Sequence, residues 1–119
     1  VQPKYFINST TFPLGYVTPD DQWDNFWREG PNKLILGWDA ALSGSGAGAK
    51  SLGQELAHSE AFARCHVQHA FKNVCLREPY GSSTDPDMTE FNRIVGVFET
   101  SGYNLKRVFA ETAAYCAGN

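Results

Sequence analysis

Residues 52–77, LGQELAHSEAFARCHVQHAFKNVCLR, decide the fold. At about 100° per residue, Leu56, Ala63, Val67, Ala70, Phe71 and Val74 fall on one stripe of a helix. His58, Phe62, Cys65, His69 and Leu76 fall on a second stripe, nearly opposite. The spacing predicts one long helix from about Leu52 to Arg77. It stops before Pro79, because the residue ahead of a proline avoids helical geometry. A helix that is apolar on two sides is expected at the centre of a domain, with a different neighbour on each side.

Two further helices follow downstream. Asp85-Pro86-Asp87 supplies a capping residue, a proline suited to the first helical position and an acid in the first turn. That helix offers Phe91, Ile94, Val95 and Phe98 at helical spacing and ends at Gly102. Asn104 caps the last helix, which presents Leu105, Val108, Phe109, Thr112 and Tyr115 or Cys116 and runs to about Cys116. The expected core is therefore a three-helix antiparallel arrangement over 53–119, with the first stripe of the 52–77 helix facing the other two.

Upstream the composition changes. Residues 1–52 hold all three tryptophans, six of the glycines and four of the prolines. Thr18-Pro19-Asp20-Asp21 reads as a helix start and Gly30-Pro31 as its end, giving a short helix over 19–29. On that helix Trp23, Phe26 and Trp27 share one face, as an aromatic plug on the core or as an exposed platform for sugar stacking. Lys33–Trp38 fits a helical turn or a short strand equally, and 43–51 reads as a Gly, Ser and Ala linker. The whole is expected as one domain, mostly α, with the aromatic segment wrapped on the second stripe of the long helix.

Bulk properties bound the function. The chain has 119 residues, 42% hydrophobic, with only 10 Lys plus Arg and a net charge of -3, so it lacks the basic footprint needed to grip a nucleic acid backbone or an anionic membrane. No apolar run is long enough to span a bilayer. The chain starts at Val1, as a processed product or a piece of a longer protein would. Asn8-Ser9-Thr10 fits a glycosylation acceptor, a triplet that matters only in a eukaryotic secretory pathway.

Several motifs bear on chemistry. Gly44-Ser45-Gly46-Ala47-Gly48-Ala49-Lys50-Ser51 resembles a phosphate-binding loop with Ala49 in place of a glycine, but the chain has no alternating strands and helices to carry it, and the linker reading stands. Phe62-Ala63-Arg64-Cys65-His66 resembles a haem-attachment motif with phenylalanine at the first cysteine position, as in the single-thioether haem proteins of one group of mitochondrial cytochromes. In that reading haem c is held by Cys65 and His66, with Met88, His58 or His69 as the distal ligand. Cys65 with His69, or His66 with His69, also has metal-ligand spacing, although neither pair supplies the three or four ligands a zinc site needs. No Ser, His and Asp set and no carboxylate pair converges at any spacing, so no catalytic residues are assigned.

The cysteines carry a structural inference. In an up, down, up bundle the C-terminal ends of the first and third helices lie together, which places Cys75 near Cys116 and permits a disulfide. Cys65, about 15 Å further down its helix, is then unpaired. The alternative is three reduced core thiols, according to compartment.

The run Leu56–Cys65, followed by Phe98-Glu99-Thr100-Ser101-Gly102-Tyr103-Asn104-Leu105-Lys106-Arg107-Val108-Phe109, resembles a C-terminal helical domain of unknown function found in secreted or periplasmic planctomycete-type bacterial proteins, often beside cytochrome c type domains. The resemblance covers about residues 53–116. It implies an extracytoplasmic bacterial setting, a mostly helical module and a place at the end of a longer protein. The expected function is a non-catalytic structural or protein-interaction module with no cofactor of its own, associated with redox proteins and partnered by other protein domains. Two alternatives stand beside it: a haem-binding electron-transfer protein, and a carbohydrate-binding module using Trp23, Trp27 and Trp38.

Overall fold

The computed structural model describes residues 20–118, and among them the chain is mostly helical with one small sheet. Val1, Asn8-Ser9-Thr10 and the proposed helix start at Thr18-Pro19 lie outside the described residues. Strand β1 (Gln22–Asp24) is followed by a 3-10 turn at Phe26–Arg28, helix α1 (Asn32–Leu36), strand β2 (Ser45–Ala47) and helix α2 (Gly48–Ala57). Helices α3 (Glu60–Cys75), α4 (Pro86–Thr100) and α5 (Leu105–Ala117) complete the order.

The three-helix core is present, and α3, α4 and α5 each pack on the other two. Ala63, Val67 and Ala70 from α3 meet Phe91, Ile94, Val95 and Phe98 from α4 and Val108 from α5. Phe71 and Phe98 are almost wholly buried, each stabilising the fold by roughly 2–3 kcal/mol relative to exposure. Thr112 is fully buried on α5 and satisfies its hydroxyl by donating to the Val108 carbonyl at 2.7 Å. The helices alternate in direction. Arg77, just past the end of α3, pairs with Asp87 in the first turn of α4, and the ends of α3 and α5 are joined by the Cys75–Cys116 disulfide with a Cα–Cα distance of 5.6 Å.

The single helix expected over 52–77 is two helices. The break falls at His58 and Ser59. Ser59 has extended backbone angles, its Oγ accepts from the Phe62 N–H at 3.3 Å, and it donates to the Leu56 carbonyl at 2.8 Å. A serine with an acid directly after it is a helix start, and this local signal prevailed over the apolar periodicity that runs through it. The second stripe therefore does not exist as one face. Cys65, His69 and Leu76 are exposed, and Phe62 alone of the apolar members packs against the core.

The segment before α2 also differs from expectation. There is no α-helix over 20–29: Trp23 lies on β1, whereas Phe26 and Trp27 lie in the 3-10 turn, so the three rings do not share one helical face. The stretch expected to be a linker is β2 and the first turn of α2. β1 and β2 pair antiparallel with Trp23 opposite Gly46, and a Cβ on Gly46 would come within 2.8 Å of the Trp23 ring. The glycine is what lets the indole lie flat on the neighbouring strand. Lys33–Trp38 resolves as α1, ended by Gly37 in the left-handed conformation. Gly37 closes on α3 through its carbonyl, which accepts from the Glu60 N–H at 2.8 Å. Asp85 stands at the start of α4 as expected, but its carboxylate accepts from Ser82 and does not cap the helix.

Candidate functional site

Two places on the molecule gather chemistry: the joint between the β1–β2 lobe and α2, and an open cleft between the Gly37–Asp39 turn, the start of α3 and the end of α4. The joint is built on Glu55, which is 2% exposed. Its Oε1 accepts from Asn25 Nδ2 at 2.7 Å and Arg28 Nε at 2.6 Å, and its Oε2 accepts from Arg28 Nη2 at 2.9 Å. Arg28 Nη2 also donates to the Asp39 carbonyl at 2.8 Å, and the guanidinium lies over the Trp38 ring. The Arg28 hydrogen bonds hold the Glu55 carboxyl below its ordinary range, and Glu55 in turn raises Arg28. With no buried side-chain nitrogen or oxygen left without a hydrogen bond among the described residues, this cluster is a fastener, not a reactive site.

The cleft encloses about 720 Å³. Its walls carry Asp39, His58, Glu60, Arg64, Glu99 and Tyr103. The Tyr103 ring meets His58 edge-on at 5.2 Å and Phe98 at 5.3 Å, with Phe62 at 6.2 Å, so it is held by aromatic contacts on several sides. Its backbone is left-handed, with φ of 60°, an uncommon conformation for an aromatic residue. Burial, then the charges of Glu99 and Asp39, push the Tyr103 hydroxyl above its ordinary value. His58 Nδ1 lies 2.7 Å from the Gln54 carbonyl, an atom that only accepts, so that nitrogen carries the proton and Nε2 presents a lone pair in the neutral ring.

The residues singled out from the sequence are dispersed. Cys65 is an exposed free thiol on the side of α3 away from the core stripe. His66 is half-buried, its ring 4.3 Å from Phe62 and 6.1 Å from Phe98. Met88 is partly buried against the core, whereas Cys65 is exposed. Among the described residues no group of three or more His, Cys, Asp and Glu side chains is placed to hold a metal ion, including those around His69. Trp27 is 61% exposed, while Trp23 and Trp38 are half-buried with their indole N–H groups engaged by Ser51 Oγ at 2.9 Å and the Trp27 carbonyl at 3.1 Å. In the glycine-rich stretch, the Gly48 N–H at the start of α2 donates to the Asp21 carbonyl, and Ser51 Oγ donates to the Ala47 carbonyl, so neither group is turned toward an incoming phosphate.

Sequence reading did not single out Asp39, Glu99 or Tyr103 as site residues. Asp39 comes from one segment and Glu99 with Tyr103 from another, and the only local hint is Gly102, whose own positive φ precedes that of Tyr103. Glu55 and Arg28 left no signal, since an acid within a helix and a base beside aromatic residues are unremarkable singly. No helix of the described residues is long and apolar enough to cross a membrane. Comparison with protein-family models, curated proteins and solved structures finds no match for this chain.

Proposed function

We propose that this chain is a non-catalytic structural or protein-interaction module of a larger extracytoplasmic bacterial protein or assembly, associated with redox proteins. The observation that carries the reading is the exposure of large apolar side chains on the lobe: Leu34 at 90%, Ile35 at 74%, Phe26 at 72% and Trp27 at 61%. All four lie within ten residues of one another in the sequence, whereas the helical core behind them is closed by a disulfide. Exposed apolar side chains gathered in this way mark a surface that another protein covers. The disulfide favours an oxidising compartment. The resemblance of 53–116 to a domain that accompanies cytochromes motivates the redox association.

The test is photo-cross-linking in the cells that make the protein, with benzoylphenylalanine in place of Trp27, Leu34 or, as an exposed control on α5, Lys106. Expected is one discrete protein adduct from positions 27 and 34 and none from 106. Adducts of equal yield from all three positions, or from none, overturn the reading. A visible spectrum of the same purified protein separates the haem alternative: a Soret band that survives denaturation would assign Cys65 and His66 to a covalent haem.

A further inference from the structure

The cleft beside α3 is lined by three carboxylates, Asp39, Glu60 and Glu99, against the single guanidinium of Arg64. Glu60 and Arg64 form an i, i+4 pair, and Arg64 also donates to Asn92 Oδ1 at 3.0 Å, so that cation is already engaged. Neither Asp39 nor Glu99 forms a salt bridge among the described residues; Asp39 Oδ1 accepts from the Ala41 N–H at 2.8 Å, and its charge also bears on Arg28. Both charges bear on the Tyr103 hydroxyl. Both carboxylates line the same open cleft as Tyr103, and its volume lies within the roughly 300–1,000 Å³ of ligand clefts.

The chemistry selects the ligand. Among the described residues no group of three or more His, Cys, Asp or Glu side chains is placed to hold a metal ion. An extended organic cation fits better: its charge sits between Asp39 and Glu99, and its apolar stem lies on the Tyr103 ring. A single amine would leave most of about 720 Å³ unfilled, which favours a basic side chain arriving with flanking backbone. We infer that the cleft lined by Asp39, Glu99, Tyr103 and His58 receives a lysine or arginine side chain presented by a partner protein. This inference rests on the interaction-module reading and names the chemistry of the partner.

The test is a nitrogen-15 NMR titration of the protein with N-acetyl-arginine methylamide and N-acetyl-lysine methylamide, against N-acetyl-norleucine methylamide as the neutral control. Expected are saturable shifts of the Gly37, Gly96 and Tyr103 amides with the two cations and not with the control. Asp39→Asn with Glu99→Gln is expected to weaken that binding at least tenfold while leaving the far-UV circular dichroism of the helices unchanged. Equal shifts from norleucine, saturable shifts confined to other residues, or no saturation with either cation overturn the inference. If cation binding fails while position 27 still cross-links to one protein, the cleft assignment falls and the interaction module stands. If cross-linking fails while the cations bind, the cleft is a site for small cations only and the partner assignment falls.

Discussion

Replacing Glu55 with alanine removes the acceptor for three hydrogen bonds and leaves the Arg28 guanidinium without its counter-charge at the joint between the lobe and α2. Removing one partner of a buried pair costs about 3–5 kcal/mol. Arg28 keeps 20% of its side-chain exposure, so water recovers part of the loss and the lower end, about 3 kcal/mol, applies. All three tryptophans lie in the lobe, at 23, 27 and 38, so tryptophan fluorescence reports on it while circular dichroism reports on the helices. For a chain of this size the urea slope is about 1–1.5 kcal/mol per molar, which turns 3 kcal/mol into a midpoint lower by roughly 2–3 M in fluorescence. Arg28→Ala alone should cost less, and the double variant should fall well short of the sum, since the two residues share one interaction. A fluorescence midpoint for Glu55→Ala within about 0.3 M of the parent would refute the idea that this pair fastens the lobe, because such a shift corresponds to less than about 0.5 kcal/mol.

Three further outcomes are expected. Reducing the Cys75–Cys116 bond, which spans 41 residues of sequence, should cost about 4 kcal/mol by the loop-closure relation, visible as a large drop in thermal midpoint that iodoacetamide trapping makes permanent; three alkylated thiols without prior reductant would show that the bond is not formed. Gly46→Ala should destabilise by roughly 1–3 kcal/mol, because the new methyl meets the Trp23 ring at 2.8 Å, and a thermal midpoint equal to the parent's would contradict that packing. Acid should destabilise the fold through Glu55 and Asp87. Asp87 is held well below its ordinary 3.8, chiefly by Arg77, with Tyr115 and the Tyr80 N–H adding, and Glu55 is held below its ordinary 4.5 by Arg28. The folded state then binds fewer protons than the unfolded one, so their contribution is complete above those ordinary values and is lost as the pH falls through and below them. Melting curves between pH 6 and pH 2 are expected to steepen in their decline below about pH 4.5, less so for Glu55→Gln; a midpoint rising with acid would reverse the sign.

What the sequence made legible follows from the range of the forces involved. The bundle was readable because helical stripes such as Phe91, Ile94, Val95 and Phe98 are local and repeat with the helix period, and because Asn104 and Gly102 mark ends in place. Helix direction made the Cys75–Cys116 pairing geometrically reasonable, while the choice against three reduced thiols rested on the compartment. The lobe was not readable, since a three-residue strand carries almost no periodicity, and Trp23 is on β1 only because Gly46, distant in sequence, leaves room for its ring. The division between α2 and α3 was legible in Ser59-Glu60 but was outweighed by a coincidental apolar period. The cleft was hidden for a different reason: Asp39, just past α1, and His58, at the end of α2, meet Glu99 and Tyr103 only in the packed fold.

The central claim is that the lobe surface around Leu34 and Trp27 is where another protein binds. The most direct measurement is the yield of the cross-linked adduct at position 27 when purified parent chain is added as competitor, compared with the Leu34→Ser, Ile35→Ser chain. Expected is that the parent suppresses the adduct in proportion to its concentration and the serine chain does not. Equal suppression by both, with both chains folded by circular dichroism, would contradict the claim.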